Sequence, residues 1–160
     1  MIELLTQHIQ NIHREYQING VDIASISSYL KNDNINSIPP ECIDLVLVIP
    51  EMLIELISLM REPSTSVKTK AIASGIYSYV FNPIDYIPDD SHSIFGFLDD
   101  ALILYYGLQL IDKEPENSID LIGFDKIKNL VAISESILSN AILEDLKDFP
   151  NKVSTSIQVN

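Results

Sequence analysis

Apolar residues at Ile2, Leu5, Ile9, Ile12 and Tyr16 recur at spacings of three and four, predicting an amphipathic helix from Ile2 to about Ile18, stopped by Asn19-Gly20. Asp22 then caps a short second helix carrying Ile23, Ile26 and Leu30, and the polar stretch KNDNINSIPP reads as a loop. Pro39 and Pro40 suit the first turn of a helix running through ECIDLVLVIPEMLIELISLMRE to Pro63. Pro50 inside it lacks an N–H and clashes with the preceding turn, so two short helices or one bent one are expected. The stretch STSVKTKAIASGIYSYVF opens on Ser and Thr caps and carries Ala71, Gly75 and Ser78 along one side, a strip that lets another helix approach closely.

Residues 94–111 are apolar nearly all round, with Gly107 of their own, which places that helix at the centre. Tyr105 and Tyr106 on it are read as core, with one hydroxyl able to reach a carboxylate. From Phe124 to Leu146 one long amphipathic helix is predicted, with Ile127, Leu130, Val131, Ile137, Leu138, Ile142 and Leu146 inward. After Phe149-Pro150 a polar tail, residues 151–160, is expected, in which KVSTSIQV alternates weakly like a strand with nothing obvious to pair with. Glycine is scarce and strand alternation otherwise absent. The fold expected is therefore all-α, a compact bundle of six or so helices in one domain spanning residues 1–150.

The chain has 160 residues, 46% of them hydrophobic and 21% charged, enough for one sizeable core without disulfides. Ten Lys plus Arg against twenty-three Asp plus Glu give a net charge of −13. Nucleic acid and anionic membrane surfaces need the opposite sign, so both are set aside, and a basic protein or a cation becomes the expected partner. Cys42 is the single cysteine and lies in an apolar helical run, which suits a buried small hydrophobe in a reducing compartment. The N-terminal MIELLTQHIQNIHREYQ lacks the pattern of a signal peptide, so a cytoplasmic location is expected. Mean hydropathy is slightly positive, +0.16. The two most apolar stretches, 43–60 and 94–111, nevertheless carry carboxylates, and each of those at mid-bilayer costs at least ~2.5 kcal/mol. Both read as buried helices of a soluble core.

Between two such helices lies NPIDYIPDDSHSIFGFLDD, residues 82–100, with five aspartates. Two prolines stop the first helix and hold the connection extended. Asp85 and Asp89 fall where turns expose backbone N–H groups, and Asp99 and Asp100 fall near a helix start, where the macrodipole favours negative charge. Every one of them thus has a structural role available. The chemical alternative is an oxygen-ligand site for Mg²⁺ or Ca²⁺ drawn from Asp85, Asp89, Asp99 and Asp100. Adjacent Asp99 and Asp100 point about 100° apart on a helix, so one of them, joined by Asp85 or Asp89, is the expected arrangement. His92 invites acid–base or transition-metal chemistry, but His8 and His13 are distant in sequence and on different faces of one helix. No phosphate-cradling Gly-rich loop, nucleophile elbow, HExxH or CxxC is present, and no cofactor is required.

Residues 67–111 resemble the YkvA-like domain family, whose core is a helix, a turn of the form P-x-D-x-x-P-D, a short link, and G-x-x-D-D opening a second helix. Pro83, Asp85, Pro88, Asp89, Gly96, Asp99 and Asp100 hold those places here, Pro83, Pro88 and Gly96 as structural turn residues. The link DSHSIF departs from the usual apolar connection and is one residue longer. The resemblance implies a helical hairpin and no defined activity.

Acidic residues are dense around the hairpin. Between Asn82 and Asp125 stand Asp85, Asp89, Asp90, Asp99, Asp100, Asp112, Glu114, Glu116, Asp120 and Asp125, with Lys113 as the only base. Taken as one acidic face, with Asp89, Asp90, Asp112, Glu114, Glu116 and Asp120 as contact residues, this suggests a non-enzymatic module that binds a basic protein. The most concrete version is an immunity-type inhibitor of a basic toxin such as a nuclease. Two alternatives stand beside it: a divalent-metal-dependent enzyme using the aspartates between 85 and 100, and a membrane-associated helical module.

Overall fold

The computed structural model describes residues 1–32, 34–82, 85–87, 94–114 and 124–158. The first helix, α1 (Ile2–Asn19), ends at Gly20, which takes φ 68° and returns its N–H to the Tyr16 carbonyl at 2.7 Å. Asp22 caps α2 (Ile23–Ile26) by accepting from the Ala24 N–H at 3.1 Å, and a 3-10 turn follows at Ser27–Tyr29. The Pro39-Pro40 helix is broken at Val48 into α3 (Pro40–Leu47) and α4 (Ile49–Arg61). Pro50 stands in the first turn of α4, where its missing N–H costs nothing. Next, Ser66 caps α5 (Val67–Val80) through the Thr69 N–H at 3.1 Å. A buried 3-10 turn at Ile94–Phe97, containing Gly96, leads into α6 (Leu98–Asp112). Then come α7 (Phe124–Ile137) and α8 (Asn140–Gln158), and among the described residues no strand forms.

Two expectations are corrected at the C-terminal end. The helix expected from Phe124 to Leu146 is two helices, because Leu138 leaves the helical ladder to form an antiparallel bridge with Leu30. The Lys31 N–H donates to the Ile137 carbonyl at 2.7 Å, and the Ser139 N–H donates to the Tyr29 carbonyl at 2.8 Å. Likewise residues 151–158 are no strand-like tail: α8 runs on through Pro150. Proline there removes one helical hydrogen bond. What holds the segment is the small-residue strip on α5, since a Cβ added to Gly75 would lie 2.5 Å from Val153 Cγ1.

The centre of the bundle is α6, packed by α3, α4, α5 and α8. Leu102, Ile103, Leu104 and Leu108 are fully buried, and each such side chain contributes about 1.5–3 kcal/mol. A Cβ on Gly107 would lie 2.8 Å from Ile76 Cγ1, so α5 and α6 cross at a distance that requires glycine. Ile94–Asp112 is long and apolar enough to cross a membrane, yet 89% of its most apolar window is covered by the rest of the fold. Its apolar surface is already used by the core.

Candidate metal centre

The α5–α6 connection is clamped from within. The Tyr79 hydroxyl, near the end of α5, donates to Asp99 Oδ2 at 2.7 Å and accepts from the Tyr86 N–H at 2.9 Å. The Ile87 N–H donates to the same Asp99 oxygen at 3.1 Å. One carboxylate oxygen in the first turn of α6 therefore holds both the preceding helix and the returning chain. Asp99 is fully buried, and its other oxygen, Oδ1, has no hydrogen-bond partner among the described residues.

Two more carboxylates stand beside Asp99. Asp85, Asp99 and Asp100 each bring an oxygen to within 4.8 Å of the others, with Asp99 and Asp100 buried and Asp85 half-buried. Oxygen ligands on a Mg²⁺ or Ca²⁺ ion sit 2.0–2.6 Å from it, so they are separated by about 3–5 Å from one another, which is this spacing. The expectation that only one of Asp99 and Asp100 could face such a point is corrected. Neighbouring Cα atoms are only about 3.8 Å apart, and two rotatable side-chain bonds let both carboxylates swing to one side despite the helical twist.

Burial is the main force pushing the Asp99 carboxyl up to about 7, and the Asp85 charge adds to it, while the hydrogen bonds from Tyr79 and Ile87 oppose it. Burial, followed by the Asp99 charge, holds the Tyr79 phenol far above its ordinary value, so it is a permanent donor to Asp99.

Two clefts reach the cluster. Leu5, His8, Val80, Phe81, Asn82, Asp85, Phe97 and Asp100 line one of about 330 Å³. Gly75, Ser78, Tyr79, Asn82, Asp85, Tyr86 and Phe149 line the other, about 370 Å³. Among the described residues neither lining includes a lysine or arginine. His8 is the residue that reading the sequence missed. Its ring meets Phe97 edge-on with centroids 5.7 Å apart, bringing it into the same cleft as Asp85 and Asp100. The available signal was its place beside Ile9, between Leu5 and Ile12, at the edge of the apolar stripe of α1.

Residues 69–106 match the family model described as a protein of unknown function, DUF1232. The match spans the clamp and the carboxylates Asp85, Asp99 and Asp100, while α1, and His8 with it, lies outside. No curated protein and no solved structure matches the chain.

Of the other candidate residues, Pro83, Pro88, Asp89, Asp90, His92, Glu116 and Asp120 lie outside the described residues. Asp112 ends α6 and Glu114 follows it, its carboxylate paired with Lys68 at 3.1 Å. Cys42 is buried on α3, and burial pushes its thiol up to about 11, which suits a core residue and not a nucleophile.

Proposed function

We propose that the protein is a YkvA-like helical domain that binds a divalent cation, Mg²⁺ or Ca²⁺ by ligand chemistry, through Asp85, Asp99 and Asp100. The observation that supports this is the convergence of three carboxylates on one point, with an unpartnered buried Asp99 oxygen among them and no lysine or arginine among the described residues lining either adjoining cleft. Like charges at such spacing do not all remain ionised without a counter-charge, and a divalent ion supplies one. An all-carboxylate set favours hard cations over zinc or copper. A cation held there would present bound water to the cleft that His8 and Asn82 line, where the imidazole is the group able to exchange a proton with it.

Calorimetric titration with Mg²⁺, Mn²⁺ and Ca²⁺ tests the proposal. One site with Kd on the order of 10⁻⁵–10⁻³ M is expected, weakened about tenfold or more by Asp85→Asn. Asp85 is half-buried and Asn has its shape, so this variant should fold without cation, which its thermal melt in chelator checks. Absence of binding heat and of any thermal shift with all three ions would remove the proposal.

The net charge of −13 supports a second proposal, capture of a basic protein such as a toxin domain. It predicts a stoichiometric complex whose association rate falls steeply with salt, measurable by stopped flow with a candidate partner. A salt-independent rate would argue against it.

A further inference from the structure

At the other end of α6, roughly 20 Å from its acidic start, three lysines gather. A cleft of about 390 Å³ between α6, α7 and α8 is lined by Lys113, Lys128 and Lys147, with Glu135 as the one carboxylate among the described residues that line it. Three of the chain's ten basic residues thus converge on one cleft in a protein carrying −13. Lys147 is committed to Glu135 at 2.8 Å, whereas neither Lys113 nor Lys128 makes an ion pair among the described residues. The lining also includes Tyr105, Tyr106, Val131 and Pro150, all of them largely buried. Tyr106 is nine-tenths buried, and its hydroxyl lies beside the Glu135 carboxylate. Burial and the Glu135 charge keep that phenol protonated, hence a donor. Asp125, whose charge reaches Tyr105, is not part of the lining.

We propose that this cleft binds a small aromatic anion, its flat apolar body against Tyr105, Tyr106 and Pro150 and its phosphate or carboxylate head between Lys113 and Lys128. Cavities of this size hold small molecules, and a few polar groups on an apolar wall fix their orientation. Because the net charge of the protein repels anions at long range, affinity must come from these local contacts. Both parts of the ligand are therefore needed. The site shares no residue with the carboxylate cluster, so each stands or falls separately.

Titration of ¹⁵N-labelled protein with phenyl phosphate and with benzoate, at constant ionic strength, tests the proposal. Saturable shifts of the Lys113, Lys128 and Val131 amides are expected with at least one of them, and the tighter of the two identifies the head group. Phenol and inorganic phosphate alone should bind about tenfold more weakly or worse, and the double variant Lys113→Gln, Lys128→Gln should lose about tenfold or more. Both lysines are exposed, so the variant should fold. Lys31→Gln, an exposed control, should change affinity less than about twofold. No saturable shift in the cleft with either aromatic anion, or equal losses in the Lys31 control and the double variant, would overturn the proposal.

Discussion

Replacing Asp99 by alanine is expected to cost about 2–4 kcal/mol, because the Tyr79 hydroxyl and the Ile87 N–H both lose their acceptor inside the core. For a chain of this length that corresponds to a fall of about 10 °C in melting temperature. Asp99→Asn separates the two roles of this residue. Its amide oxygen can still accept from Tyr79 and Ile87, so the clamp survives, while the charge that a cation needs is gone. In chelator Asp99→Asn should melt at or above the wild-type temperature, yet gain nothing from Mg²⁺ or Ca²⁺. Thermal melts of the three proteins with and without cation read both effects. If Asp99→Asn melted as early as Asp99→Ala, charge would be essential to the clamp and the division of roles would fail. If it kept its cation response, Asp99 would not be a ligand.

Without cation, stability should fall as pH rises from about 4 to about 7. The sign follows from Asp99, whose carboxyl is raised in the folded state from 3.8 to about 7. Between those values the folded protein holds a proton that the unfolded chain has released, so each rise in pH favours unfolding. The stabilisation is fully present below about pH 4 and lost by about pH 7, on the order of 4 kcal/mol over the window. This is opposite to an ordinary salt-bridged aspartate, which loses stability on acidification. A cation competes with that proton, so the stability difference between Mg²⁺ and chelator should be small near pH 5 and largest above about pH 7. Urea unfolding across this range checks it, with Asp99→Asn as the control in which the slope should flatten. A slope unchanged in Asp99→Asn would assign the effect to general repulsion among the twenty-three acidic residues.

The proposed roles of the aspartates are compatible because one carboxylate has two oxygens. Oδ2 of Asp99 turns the corner by holding Tyr79 and Ile87, while Oδ1 is buried without a hydrogen bond among the described residues and is open to a ligand. A choice between structural capping and metal ligation, posed on sequence, becomes in three dimensions a division between atoms of one side chain.

By itself the sequence determined what is local. Spacings of three and four set α1, the caps Asp22 and Ser66 set the starts of α2 and α5, and Pro50 set the break between α3 and α4, since each acts within one or two turns of its own position. The all-round apolarity of residues 94–111 also announced the central helix, because a helix without a polar face has nowhere else to stand. Tertiary structure decided whatever depends on residues distant in the chain. The Leu30–Leu138 bridge splits α7 from α8 against their shared periodicity, and the seat of Val153 on Gly75 keeps the chain helical past Pro150. Packing of α1 brings His8 into the cleft that Asp85 and Asp100 line, and packing of α6, α7 and α8 gathers three lysines dispersed through an acidic sequence into one cleft. Periodicity reports which face of a helix is buried but not what it meets, and these sites are made of what meets there.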